Sequence, residues 1–170
     1  AAAMAVVVRP AHEGDLDAIR DLFNALIPTT TIAYREHLAD DTEIAAWFAG
    51  QQAADFPVLV ADAGGPVIGY ATYGSFRGGV RFPGYRHTAE LTIHVDAAYH
   101  GRCVGRTLID ALVAAARARG IHVLVAGIDA DNTASIEFHR RLGFVETARM
   151  PEVGTKFGQW LTLVLMQRTI

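Results

Sequence analysis

Between Glu90 and Gly105 the chain passes from an alternating strand through a glycine-bearing turn into a helix, and no other stretch restricts the possible folds as much. Leu91, Ile93 and Val95 alternate with Glu90, Thr92 and His94, which predicts a strand over Thr88–Val95. Past the turn, Val104, Leu108, Leu112 and Ala115 recur at helical spacing until Gly120 breaks the pattern, so the helix starts close to Gly101–Gly105. A helix start leaves its first N–H groups unpaired at the positive end of the dipole, and glycine lets an anion approach them closely. Arg102 and Arg106 add charge there. The segment suits a phosphate, and it equally suits a tight strand-to-helix connection with no ligand. It is neither a Walker loop nor a dinucleotide fingerprint, because G-x-x-x-x-G-K-[ST] and G-x-G-x-x-G are both missing.

The other elements follow from periodicity and breakers. Val6–Arg9 is a short strand, and Asp15 to Leu26, with Leu16, Ile19, Phe23 and Leu26 in phase, is a helix stopped by Pro28. Thr29–Tyr34 is a polar loop. A second helix is predicted from Asp41 to about Ala54 on the stripe Ile44, Trp47 and Phe48. Strands Val58–Ala61 and Val67–Tyr73 are joined through Gly64-Gly65, a hairpin signal, and an irregular loop spans Gly78–Tyr85. His122–Ile128 reads as another strand, and Asp131 to Gly143 as a short capped helix. The polar stripe Glu90, Thr92 and His94 is unusual for a central strand of an α/β sheet. It must line a wet cleft or meet buried partners.

One domain is expected from 170 residues, and a composition that is 51% hydrophobic supplies an ample core. The net charge of −3 argues against general nucleic-acid binding, which needs a basic face. A single cysteine excludes an internal disulfide and suits a reducing cytoplasm. No apolar run approaches the roughly 18 residues that span a bilayer, and no charged-then-apolar leader opens the chain. Ala1–Ala3 ahead of Met4 are expected to be extraneous to the fold. No metal is expected: His87 and His94 have opposite parity on their strand, and His12, His37 and His122 lie in unrelated elements. Cys103 at a helix start has a lowered thiol pKa in prospect, but a hydrolytic nucleophile would need partners that the sequence does not place beside it.

A second segment, Asp131-Asn132-Thr133-Ala134-Ser135-Ile136-Glu137-Phe138-His139-Arg140-Arg141-Leu142-Gly143-Phe144, reinforces the first. Together they resemble the GNAT superfamily of N-acetyltransferases. Its members seat the acetyl-CoA pyrophosphate on an R/Q-x-x-G-x-G/A turn and carry N-x-x-S-x-x-F-Y-x-x-x-G-F in the next βα unit. Here the turn reads His100-Gly101-Arg102-Cys103-Val104-Gly105, with His100 for Arg or Gln and Cys103 for the first motif glycine. His139 stands for the tyrosine. That histidine, the TAELTIHV strand, Thr29–Tyr34, Phe82–Glu90 and Lys156–Trp160 resemble the phosphinothricin acetyltransferase group and its methionine sulfoximine and sulfone relatives, over about Val8 to Met166.

The resemblance implies an α/β fold with a mixed, mostly antiparallel sheet flanked by helices. It also implies acetyl-CoA as co-substrate and, from the group's habit, a homodimer with its site near the interface. Backbone donors around Ile93 to Val95 would face the oxyanion, and His100, Gly101, Arg102, Cys103, Val104, Gly105, Arg106, Asn132 and Ser135 would bind the cofactor. An ammonium cannot attack a thioester, so the amine must lose a proton, and a carboxylate of raised pKa can take it, directly or through water. Glu90 occupies the place of that base, unless it is simply salt-bridged to Arg86 or another nearby arginine. His139 would act as acid or second base, or be a core or solvent-facing histidine.

An amino-acid acceptor calls for an arginine on its carboxylate and donors on its side chain. Arg77, Arg81, Tyr85, Thr155 and Lys156 are the candidates, with Arg77 preferred for its bidentate fork. Phe76 and Phe157 could wall the pocket or serve a core or dimer contact. The leading expectation is therefore N-acetylation of a small amino acid or analogue. The alternatives are an aminoglycoside, polyamine or peptide N-terminus acetyltransferase, and a non-catalytic acyl-CoA sensor. The basic Arg77–Arg86 loop speaks against polycations, and a sensor could dispense with Glu90 and His139, both of which are present.

Overall fold

A computed structural model describes residues 5–170, so the expectation for Ala1–Ala3 lies outside the described residues. Seven strands and four α-helices follow one another among them: β1 Val7–Pro10, α1 Leu16–Asn24, α2 Asp41–Ala53, β2 Val58–Asp62, β3 Val67–Ser75, β4 Thr88–Val95, α3 Val104–Ala118, β5 Val123–Asp129, α4 Thr133–Arg141, β6 Val145–Lys156 and β7 Gln159–Thr169. The strands are ordered β1-β2-β3-β4-β5-β7-β6. The β1/β2, β2/β3, β5/β7 and β6/β7 ladders are antiparallel and β4/β5 is parallel. This is the mixed, mostly antiparallel α/β sheet that the sequence led us to expect. The chain forms two compact units. One comprises the chain up to Ala25, Ala39–Gly74 and Thr92–Arg119, and the other Leu26–Leu38, Ser75–Leu91 and Gly120–Ile170.

In the first unit the helical stripes find their core. Ile19 of α1 and Phe48 of α2 pack with Val58, Val60 and Tyr70, and Leu16 and Trp47 cover the cluster. Helix α3 buries Val104, Leu108, Ile109, Leu112, Val113 and Ala116, a wider face than the expected stripe. Helix α1 ends at Asn24, two residues short of Leu26, and the Asn24 amide bonds both backbone groups of Ala39, at 2.9 and 2.8 Å. The Gly64-Gly65 hairpin is confirmed: both glycines have positive φ, and both their N–H groups donate to the Asp62 carboxylate. Arg9 forks onto the buried Asp15 at 2.8 and 2.9 Å and reaches Asp62 at 3.1 Å. The Arg9 guanidinium holds the Asp15 carboxyl below the usual carboxylate range.

The polar stripe of β4 divides between two fates. His94 lies between the rings of Phe23 and Tyr70, with centroids 6.2 and 5.4 Å away, and desolvation pushes its pKa down to about 4. It is a neutral partner of aromatic rings. Glu90 remains for the wet face.

In the second unit β5 buries Leu124, Ala126 and Ile128 on one side, and β7 buries Leu161, Val164 and Met166. Strands β6 and β7 form a long hairpin that the sequence reading did not foresee. Its turn, Phe157-Gly158, has φ of 53° and 70°, the mirror-type geometry that matches strand twist. Two irregularities in β6, between Glu146 and Ala148 and between Met150 and Gly154, erase the period-2 pattern that would have revealed the strand. Almost all of β6 is exposed, so its residues carry little hydrophobic signal.

Candidate active site

The turn after β4 is built as an anion cradle. Asp96 accepts from the Ala98 N–H at 2.9 Å and closes a 3₁₀ turn over Ala97–Tyr99. The His100 ring folds back onto the Val95 carbonyl, Nε2 to O 2.9 Å, which occupies an acceptor of the strand and leaves the turn's N–H groups free of side chains. Gly101 and Cys103 both have left-handed backbone, φ 76° and 62°. For cysteine this conformation is costly, about 1–2 kcal/mol, and Cys103 thus holds the left-handed backbone that glycine adopts most easily. Cys103 is the N-cap of α3 and makes no side-chain cap bond. A Cβ on Gly101 would meet nothing within 4 Å, and Arg102, stacked 5.5 Å over the Tyr99 ring, and Arg106 are exposed. Orphan donors, open space and two cations fit a pyrophosphate.

Glu90 sits in the first half of β4, opposite Val125 of β5. Its carboxylate lies over Gly127: a Cβ there would fall 3.2 Å from Oε1. The residue reaches solvent, yet the protein around the carboxyl displaces enough water to raise its pKa above the usual glutamate value. Among the described residues no salt bridge to Glu90 is present, so the structure offers no support for a structural ion pair with Arg86.

His139 is 3% exposed on α4. Its Nδ1 lies 2.8 Å from the Ser135 carbonyl oxygen and 3.4 Å from the Ser135 hydroxyl, and its ring meets Phe138 and Phe144 edge-on at 5.1 and 5.2 Å. A nitrogen facing a carbonyl carries the proton, so Nε2 presents a lone pair. That Nε2 is buried and has no hydrogen-bond partner among the described residues. Burial lowers the pKa, with the Ser135 carbonyl opposing, and the imidazole is neutral. Asn132 caps α4 by accepting from the Ser135 N–H at 3.2 Å, so its side-chain oxygen serves the helix.

The acceptor candidates separate sharply. Arg77, at φ 51°, stacks its guanidinium 5.5 Å over Tyr85, whose ring meets Phe76 at 5.9 Å, and Arg81 stacks 5.4 Å over Phe82. Thr155 and Lys156 close β6 opposite Trp160 and Gln159 rather than lying in a loop. Thr155 is exposed, but Lys156 is 1% exposed and donates from Nζ to the carbonyls of Thr30 and Ala33 at 2.6 and 2.9 Å. Lys156 is thus turned inward, with its pKa lowered by burial against the pull of Glu36. Sequence reasoning missed the residues around that clasp: Asp129, Thr31, Tyr34 and Gly154. A glycine in a strand signals close approach, and the likeness of Thr29–Tyr34 to the phosphinothricin acetyltransferase group was the other clue available.

Among the described residues no cluster of three or more His, Cys, Asp or Glu is arranged to hold a metal, and no helix is long and apolar enough to cross a membrane.

A helix-start turn whose free donors suit a pyrophosphate, and a strand that carries a desolvated carboxylate, are features of an acyl-transfer enzyme that uses a nucleotide thioester. The family model described as Acetyltransferase (GNAT) family matches residues 19–144, and the chain belongs to that family. The chain is 40% identical over 162 residues, 95% of its length and 93% of the other, to an L-methionine sulfoximine/L-methionine sulfone acetyltransferase of Salmonella typhimurium. Its fold matches a ribosomal-protein-alanine N-acetyltransferase from Brucella melitensis with TM-score 0.92 at 42% identity, covering 96% of this chain and 99% of that one. It also matches a phosphinothricin acetyltransferase from Sinorhizobium meliloti, solved in complex with acetyl-CoA, with TM-score 0.90 at 31% identity and 98% and 89% coverage.

Proposed function

We propose that the chain is a single N-acetyltransferase domain that moves an acetyl group from acetyl-CoA to the amino group of a small amino acid or analogue of the methionine sulfoximine, methionine sulfone or phosphinothricin type. The observation that carries this reading is the raised, unpaired Glu90 carboxyl over Gly127, on the same strand that leads into the anion cradle. Acetyl-CoA supplies the activated acetyl carbon. The Gly101–Arg106 backbone N–H groups, with Arg102 and Arg106, hold the pyrophosphate. Glu90 removes a proton from the acceptor's ammonium, and N–H groups at Ile93 to Val95 face the oxygen that gains charge. His139 offers a neutral Nε2 lone pair, suited to accepting a hydrogen bond or proton. Ser135 fixes its tautomer. Arg77, with Arg81, Tyr85 and Thr155, binds the acceptor carboxylate and side-chain oxygens.

The test is CoA-thiol release across a panel of amino acids, methionine sulfoximine, methionine sulfone, phosphinothricin, polyamines, aminoglycosides and alanine-starting peptides. Turnover confined to the small amino-acid analogues is expected. The peptide N-terminus is the second reading, favoured by the Brucella relative, and turnover on peptides alone would install it instead.

The protein works in the cytoplasm, a location that suits its one free thiol, and has no nucleic-acid or membrane partner. It is a homodimer, a state supported by the exposed Met150, Val153, Phe157 and Trp160 on the edge hairpin β6–β7. Light scattering at micromolar concentration should give about twice the 18.3 kDa chain mass, and the monomer mass would discard the dimer.

A further inference from the structure

We propose that Asp129 is a positioning residue for the acceptor: by holding Thr31 and Tyr34, it sets the Thr29–Tyr34 strap as the end wall of the acceptor pocket beside Glu90. The inference rests on the reading of Glu90 as the base of an amino-acid acetyltransferase.

Side chains at 125, 127 and 129 of β5 share one face. The Glu90 carboxylate stands on that face, over Gly127. Asp129 is the next position along it, about 7 Å further at the usual strand rise. Leu163 and Leu165 of β7 are the ladder partners of Asp129 and Gly127, and they lie 3.6 and 3.8 Å from the point a Gly127 Cβ would occupy. Both leucines are only half-buried. Next to the base, then, is an open apolar floor about as long as one amino-acid side chain. Asp129 and whatever it holds bound its far end.

Asp129 is 4% exposed and accepts the Thr31 hydroxyl. The Tyr34 hydroxyl lies 3.4 Å from its other oxygen and 3.2 Å from the Thr162 carbonyl. Burial and the Asp129 charge push the Tyr34 phenol up to about 12, so it stays a donor. The Lys156 ammonium grips the strap at the Thr30 and Ala33 carbonyls, and the Cδ2–Cε2 edge of the Tyr34 ring lies against Gly154. Among the described residues Asp129 and Lys156 form no ion pair with each other. Each spends its charge on the strap. Burying two such charges is costly, and a passive surface loop has no need of it. A wall that must keep its place beside a reacting amine does, because small displacements of substrate-positioning groups cost large factors in rate.

Steady-state kinetics on the full chain, with acetyl-CoA and the amino acid that gives the fastest turnover, decides the matter. Asp129→Ala should raise the acceptor KM by about tenfold or more while the acetyl-CoA KM stays within about twofold. Asp129→Asn, whose one amide oxygen can still accept from Thr31 while the Tyr34 hydroxyl keeps the Thr162 carbonyl, should recover part of the loss. The double variant Thr31→Val, Tyr34→Phe keeps Asp129 and should reproduce the selective rise, which covers the case of an Asp129→Ala chain that does not fold. An unchanged acceptor KM in the double variant, or equal rises in both KM values, overturns the proposal. A wild-type chain inert toward every amino acid overturns the reading beneath it.

Discussion

Glu90→Gln is expected to lower kcat for amino-acid acetylation by about 10²-fold or more, the size of effect that follows loss of a positioned general base. The substitution keeps shape and polarity over Gly127, so the fold and the acetyl-CoA KM should hold. The pH profile carries the same information in a second form. Desolvation raises the Glu90 carboxyl above its ordinary value, which favours the protonated form. A protonated carboxyl cannot accept the ammonium proton, so activity should fall as pH drops through the raised pKa. The acid limb of kcat/KM then lies above the ordinary glutamate value of about 4.3, and Glu90→Gln should abolish that limb. Near-normal turnover in the variant, with the limb intact, would take Glu90 out of the chemistry.

Gly154→Ala should have the largest effect on stability. An added Cβ would sit 2.3 Å from both Cδ2 and Cε2 of Tyr34, far inside any non-bonded contact between carbons. The ring has little freedom to retreat, because its hydroxyl lies beside Asp129 and the Thr162 carbonyl and its strap is clasped by Lys156. Overpacking of this kind costs about 1–3 kcal/mol, which for a chain this size lowers Tm by roughly 3–10 °C. Thermal unfolding measures it directly. Tyr34→Leu in the Gly154→Ala background should recover part of the loss. A variant that melts with the wild type would mean that the ring and Gly154 do not touch.

The fold was largely legible in the sequence, and the reasons are local. Helical stripes such as Ile44 and Phe48, and the alternation of β4, report burial directly. The turn between β4 and α3 could be read because a glycine between a strand and a helix marks it. Three things were hidden. The β6–β7 hairpin has one strand with almost no buried residues, two irregularities, and a partner whose middle, Leu163-Val164-Leu165-Met166, is unbroken apolar, so neither strand shows a clean period. The strap was hidden for another reason: Asp129 and Tyr34 are 95 residues apart, and Lys156 and Thr30 are 126 apart. A lysine one residue before an exposed hairpin turn looks like a surface charge, and only tertiary structure reveals that it points inward. His94 was hidden likewise, since its aromatic neighbours come from α1 and β3.

The left-handed cysteine bears on how such a catalyst can diversify. The cradle keeps its form with Cys103 in a glycine position because its recognition is written in backbone amides. Side-chain drift there changes affinity by increments, and only loss of the positive φ would dismantle it. The acceptor determinants proposed above are mostly side chains on the loop before β4 and on the strap. Selection can therefore rewrite which amine is modified through a handful of substitutions while the donor half of the reaction is left undisturbed. New specificities in this scaffold should arise by exchange at Arg77, Arg81, Tyr85 and the strap, long before Gly101 or Gly105 changes.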